Sequence, residues 1–211
     1  MDRALCDYAG ISSTELSKYI SGQAIKDCVN ESFINPFTKE VIEVGDARDD
    51  KTQYSNYFDM SKVPQDLMSK PLFIHLDMST GGGGNGDKTG IAGTWIIGKK
   101  PTVEGNPGKD LFFREAFAVA IKAPKGRSIS FEKNRNFIRW LKEKGFRIRE
   151  ITSDTFQSYD LQQQLSAEGF NCSILSVDRV EPESRICRPY QYLKNVLYEQ
   201  RIQLFSHKLQ E

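Results

Sequence analysis

Long apolar runs are missing from this chain. None approaches the ~20 residues that a membrane-spanning helix needs, and no basic-then-apolar leader opens the sequence. Cysteine is sparse. Cys6, Cys28, Cys172 and Cys187 are widely scattered, with no Cys-x-x-Cys pair. With only His75 and His207 to help, the sequence argues against a zinc site. Reduced thiols in a cytoplasmic compartment are the simple reading. An excess of one charge is also missing. The formal net charge is +1, so the overall balance points to no polyanionic partner. Finally, there is no P-loop. The glycine-rich stretch 81–86 invites one, but Gly86 is followed by Asp87 and only then by Lys88-Thr89. That loop also joins two strand-like segments rather than a strand and a helix, which argues against NTP hydrolysis.

What is present fits a soluble globular chain: 211 residues, 38% hydrophobic and 27% charged. That is enough for one good-sized domain plus an appendage. Residues 1–70 read as the appendage. Ser12-x-x-Glu15 has capping-box spacing, Asn35-Pro36 marks a turn, Glu40–Val44 alternates like a short strand, and Gly45–Asn56 is a polar run expected to be an exposed loop. Large apolar residues are too few for an independent core, so the stretch is expected to pack on something else. Residues 71–211 are expected to form the domain.

The segment Leu72-Phe73-Ile74-His75-Leu76-Asp77 organises that domain. Leu72, Ile74 and Leu76 alternate to one face, and Phe73, His75 and Asp77 to the other. Strands are expected at 72–79, about 90–97 and about 111–121. Loops alone join them, which predicts an antiparallel meander. The period then turns helical. Ser130 can cap a helix carrying Phe131, Phe137, Ile138 and Leu141, with Gly145 as its stop. A strand over 146–153, a helix over 157–168, a strand over 172–177, a helix over about 187–200 and a short extension over 201–205 follow. The order β-β-β-α-β-α-β-α predicts an α/β domain with a mixed sheet and helices on both faces. If the fourth strand enters beside the first, Asp77 and Asp154 meet at one edge of that sheet.

An acid in a core strand is costly unless it is paired or binds a metal. Two of them at neighbouring strand ends form a hard oxygen-ligand site of the kind Mg²⁺ or Mn²⁺ prefers. Two such ions about 4 Å apart can activate water and stabilise the leaving oxygen in phosphodiester cleavage. The plain alternative is a pair of strand-end acids that turn the chain. Asp87 reads as either a turn residue or an auxiliary metal-side acid, and Lys88 as a turn residue or a phosphate contact. His75 reads as a satisfied core residue, Trp95 and Trp140 as core, and Asp178-Arg179 as a local ion pair or helix-start device. From Ile121 to Arg149 ten basic residues, Lys122, Lys125 and Arg127 among them, face two acids. Such a face suits phosphate-backbone contact, or it is a solvated helix surface.

Four motifs in order, Phe73-Ile74-His75-Leu76-Asp77-Met78-Ser79, Gly86-Asp87-Lys88-Thr89-Gly90-Ile91-Ala92, Ile151-Thr152-Ser153-Asp154-Thr155-Phe156-Gln157-Ser158 and Leu175-Ser176-Val177-Asp178-Arg179, together resemble the nuclease domain of the tailed-phage terminase large subunit. The resemblance covers about 72–205. It implies an RNase H-like fold and a two-metal endonuclease, with Mg²⁺ or Mn²⁺, that cuts double-stranded DNA concatemers during genome packaging in the host-cell cytoplasm. It implies that Asp77 and Asp154 are catalytic metal-binding acids and that Asp87 lies near the metals. Lys88, Lys122, Lys125 and Arg127 would hold the DNA backbone without reading sequence. Residues 1–70 resemble the stretch between that family's ATPase and nuclease domains, and the partners implied are the ATPase domain, the portal and the small terminase. The family's third acid comes from a late helix in an Asp-x-x-Asp-Ala-like context. Residues 180–211 hold no match, so the C-terminal end is expected to be incomplete, with Glu199 a conceivable substitute for the third acid. The rival readings are another RNase H-like nuclease, such as a resolvase or transposase core, and a non-catalytic DNA-binding or motor-docking module.

Overall fold

The computed structural model describes residues 20–45, 51–79, 88–101, 108–154, 159–175 and 188–206. Among them a seven-stranded mixed sheet runs in the order β1-β4-β3-β2-β5-β6, with β7 also paired to β4. The strands are β1 (Val41–Glu43), β2 (Leu72–Asp77), β3 (Thr89–Pro101), β4 (Lys109–Lys122), β5 (Ile148–Ser153), β6 (Cys172–Ile174) and β7 (Ile202–Gln203). The helices are α1 (Gly22–Lys26), α2 (Phe131–Glu143), α3 (Tyr159–Ala167) and α4 (Arg188–Tyr198). Strands β2, β3 and β4 form the antiparallel meander; β5 then returns parallel to β2, and β6 parallel to β5. This is the α/β mixed sheet, a meander followed by parallel strands, expected from the sequence. No described helix is long and apolar enough to cross a membrane.

Alternation decides which face is core. On β2 Leu72, Ile74 and Leu76 are buried while Phe73 and His75 are half-buried and Asp77 is exposed. Ile91 and Trp95 of β3, Phe117, Val119 and Ile121 of β4, and Ile151 of β5 complete the same surface. Phe137, Ile138 and Leu141 of α2 and Leu161 and Leu165 of α3 cover it. Each such fully buried side chain stabilises by roughly 1.5–3 kcal/mol. Helix α2 stops where Gly145 takes φ 93°, a left-handed conformation that spares glycine the Cβ clash. Ser130 stands at its N-cap, but the hydroxyl makes no capping bond; its carbonyl accepts from the amides of Lys133 and Asn134 instead.

The early stretch contributes to this core. Strand β1 pairs parallel with β4, and Phe37, Ile42, Val44, Tyr54, Phe58, Val63 and Leu67 join the same cluster. Phe58 alone stands against the rings of Phe37, Phe117, Phe137, Trp140 and Phe146. The polar run expected to be an exposed loop is therefore corrected at one point. Tyr54 opens a 3₁₀ turn (Tyr54–Tyr57) and is only 1% exposed. The opposite face of the sheet carries α4, whose Tyr192 meets Phe113 edge-on at 6.2 Å. Val196 and Leu197 of α4, with Ala24, Cys28 and Phe205, are buried apart from the main cluster.

Candidate metal and phosphodiester site

Parity puts Asp77 on the face of β2 that does not build the main core, at the strand's last residue. Strand β5 arrives beside it in parallel, with His75 opposite Thr152 and Leu76 opposite Ser153. Asp154 is the next residue on β5's side, as Asp77 is on β2's. The two acids thus end neighbouring parallel strands, which run about 4.8 Å apart. Asp77 is exposed and Asp154 half-buried. On the other flank β3 presents Gly90 opposite Asp77 and Ala92 opposite His75, so no bulky side chain from β3 covers the pair. A Cβ on Gly90 would stand 3.6 Å from the Cβ of Asp77, an ordinary contact.

His75 sits one rung below the acids. Its Nδ1 is 2.8 Å from Thr152 Oγ1, and the Thr152 hydroxyl also donates to the carbonyl of Ile74 at 3.4 Å. Burial pushes its ring below the ordinary histidine value, and the negative charges of Asp77 and Asp154 act the other way. The sequence reading takes His75 as a satisfied residue; it is half-buried, partnered by Thr152, and shares the face of Asp77.

The donor set suits a hard cation. An ion such as Mg²⁺ is commonly held by one or two carboxylates, with water and substrate phosphate filling the remaining positions. Among the described residues no group of three or more His, Cys, Asp or Glu forms a metal cluster. Asp87 and Asp178-Arg179 lie outside the described residues, as do Ser12 and Glu15. Glu199 is at the wrong end of the sheet. It accepts from buried Arg201, which also donates to the Leu111 carbonyl and pairs with Asp110 at the start of β4. From there to the acid end is on the order of 30 Å of strand.

The basic run does not make one face. Lys88 precedes β3, Lys122 ends β4, and Lys125 and Arg127 follow it. All four are exposed at the acid end of the sheet, because Gly90 is opposite both Asp77 and Ala120. The rest of the run goes elsewhere. Lys133 is buried and donates to the Thr52 carbonyl at 2.7 Å. Arg135 pairs with Glu132, and Arg139 with Glu168. Lys142 and Lys144 lie over the rings of Phe170 and Trp140 near the far end of α2, and Arg147 and Arg149 flank the beginning of β5. These four belong to the opposite end of the sheet.

No family model and no curated protein matches the chain. Solved structures do. Its structural neighbours are phage large terminases. The large terminase nuclease from thermophilic phage G20c is 12% identical, with TM-score 0.45, over 67% of this chain and 61% of that one. The same nuclease with bound magnesium is 13% identical, with TM-score 0.44 and the same coverage. The HK97 bacteriophage large terminase is 11% identical, with TM-score 0.48, over 92% of this chain. The chain spans 61% of the length of the G20c nuclease and 35% of the HK97 protein.

Proposed function

We propose that this chain is a metal-dependent endonuclease domain that cuts double-stranded DNA, in the manner of a phage packaging terminase. One observation carries the reading: Asp77 and Asp154 end adjacent parallel strands on the same side of the sheet, with Gly90 and Ala92 beside them. In this reading the two carboxylates hold Mg²⁺ or Mn²⁺, and Asp87 assists. The bound ions would supply an activated water and stabilise the leaving oxygen of the phosphodiester. Lys88, Lys122, Lys125 and Arg127 neutralise the backbone phosphates on either side of the scissile bond, and set the duplex in place without reading bases. The motor partners are the ATPase domain, the portal and the small terminase, in the host-cell cytoplasm.

The test is plasmid nicking with EDTA, Mg²⁺ and Mn²⁺ in parallel, for the native chain, Asp77→Asn and Asp154→Asn. Metal-dependent nicking is expected. Each substitution should lower it about a hundredfold or more, because metal stabilisation of such a transition state is worth several kcal/mol. Retained nicking in Asp77→Asn overturns the assignment. A second reading takes the two acids as structural. Under it the domain binds DNA or docks in a motor without cutting. No nicking with any metal, together with unchanged DNA binding in Asp77→Asn, would favour that reading.

A further inference from the structure

The ladder between β2 and β5 is irregular where it begins. Leu72 is opposite Ile148, Phe73 is opposite Glu150, and the register shifts between them. The entry to this strand pair therefore does not by itself fix the register at the exit. Register matters here more than elsewhere, because a slip of one residue sends every side chain of a strand to the other face. Asp154 would then leave the side of the sheet that holds Asp77. It directly follows Ser153, the last residue of β5.

We propose that His75 is the positioning residue of the carboxylate pair: through Nδ1 it fastens Thr152, and with it the end of β5, to β2 one rung below Asp77 and Asp154. The inference rests on the paired-carboxylate reading above. Its geometry is a three-point knot. The imidazole Nδ1 is 2.8 Å from the Thr152 hydroxyl, and that hydroxyl reaches back to the carbonyl of Ile74, the residue before His75. Thr152 is β-branched and so is stiff about χ1, which carries the restraint into the backbone. Both members point to the face of the acids, and each stands two residues before an acid on its own strand. A histidine that merely filled core would need none of this. The neighbouring face has small residues, Ala92 and Gly90, where packing would put large ones.

The two ring nitrogens give distinct tests. In His75→Asn the side-chain amide stands near the position of Nδ1 and can still bond Thr152. In His75→Gln it stands near Nε2 instead. Mn²⁺ binding is read from the electron paramagnetic resonance signal of the free ion, and plasmid nicking is measured alongside. His75→Ala and Thr152→Val are each expected to raise the half-saturating Mn²⁺ concentration about tenfold, at the lower end of what supporting residues cost. The double variant should lose no more than either single one, because both remove one bond. His75→Asn should recover most of the loss and His75→Gln should not. Unchanged Mn²⁺ binding in folded His75→Ala, or rescue by Gln in place of Asn, overturns the inference. Should His75→Ala fail to fold, Thr152→Val, which keeps the shape of the side chain, decides it by the same measurement. Asp154→Asn separates the two levels. If it binds Mn²⁺ like the native chain, the carboxylate reading fails; if it loses Mn²⁺ while the His75 and Thr152 variants keep it, only the positioning role fails.

Discussion

Gly93 carries a constraint that only the packed sheet reveals. It lies on the core face of β3, opposite Phe117 of β4. A Cβ there would come within 2.6 Å of the Phe117 ring. That ring cannot swing away cheaply, because it is fully buried and wedged against Phe37, Phe58 and Phe137. Gly93→Ala is therefore an overpacking change and should cost about 1–3 kcal/mol, read as a lower urea midpoint. A midpoint within error of the native chain would show that the ring relaxes. The sequence alone could not have found this. A glycine inside a strand pattern signals a bulge or a close approach, without naming what approaches. The acids were different. The face of Asp77 was legible, because strand parity states it; that β5 enters beside β2 and brings Asp154 next to it was left open by the order of elements and comes from the pairing itself. The partner of His75 was not legible, because parity fixes a face and never a register.

At the scale of elements, helices α2 and α3 lie on the same side of the sheet and are stapled by one ion pair. Arg139 donates from Nε to Glu168 Oε2 at 2.7 Å and from Nη2 to Oε1 at 2.5 Å, a two-pronged contact from α2 to the residue just after α3. The hydrogen bonds from Arg139 hold the Glu168 carboxyl below its ordinary value. A carboxyl depressed in the folded state adds stability that is present above its unfolded value, near 4.3, and is lost as pH falls through the folded one. Both side chains are partly exposed, so the contribution is at most about 1 kcal/mol. Glu168→Gln should thus lower the melting temperature by a few degrees at pH 7, and the gap should close as the pH drops below about 4. A gap that persists at pH 3 would mean that Gln disturbs packing rather than charge. The elements themselves were readable from hydrophobic period, since alternation and the 3.6-residue repeat are imposed by the same core that forms. Some details were not. Tyr54 hid in a polar run because one aromatic has no periodicity, and β3 extends to Pro101 because pairing with β4 continues past the apolar segment.

Among the described residues the basic run of the sequence divides between the two ends of the sheet, which local sequence order conceals. Lys122, Lys125 and Arg127 follow one another closely with Lys142, Lys144 and Arg147, yet α2 carries the chain from one end of the sheet to the other between them. Thirteen helical residues cover about 20 Å. That is close to the width of a duplex, so DNA lying across the acids would touch the first group and miss the second. Replacing Lys122, Lys125 and Arg127 together with alanine should weaken binding of a short duplex and flatten its salt dependence. Each lost phosphate contact lowers the slope of log K against log salt by about 0.9, so up to three contacts lower it by roughly 2 to 3. Replacing Lys142, Lys144 and Arg147 together should leave both the affinity and the slope near native values, measured by fluorescence anisotropy across a salt series. Equal effects from the two triple variants would place the duplex along the strands instead of across their ends. Asp77 and Asp154 would then meet the DNA at its end, a geometry suited to trimming and not to internal cutting.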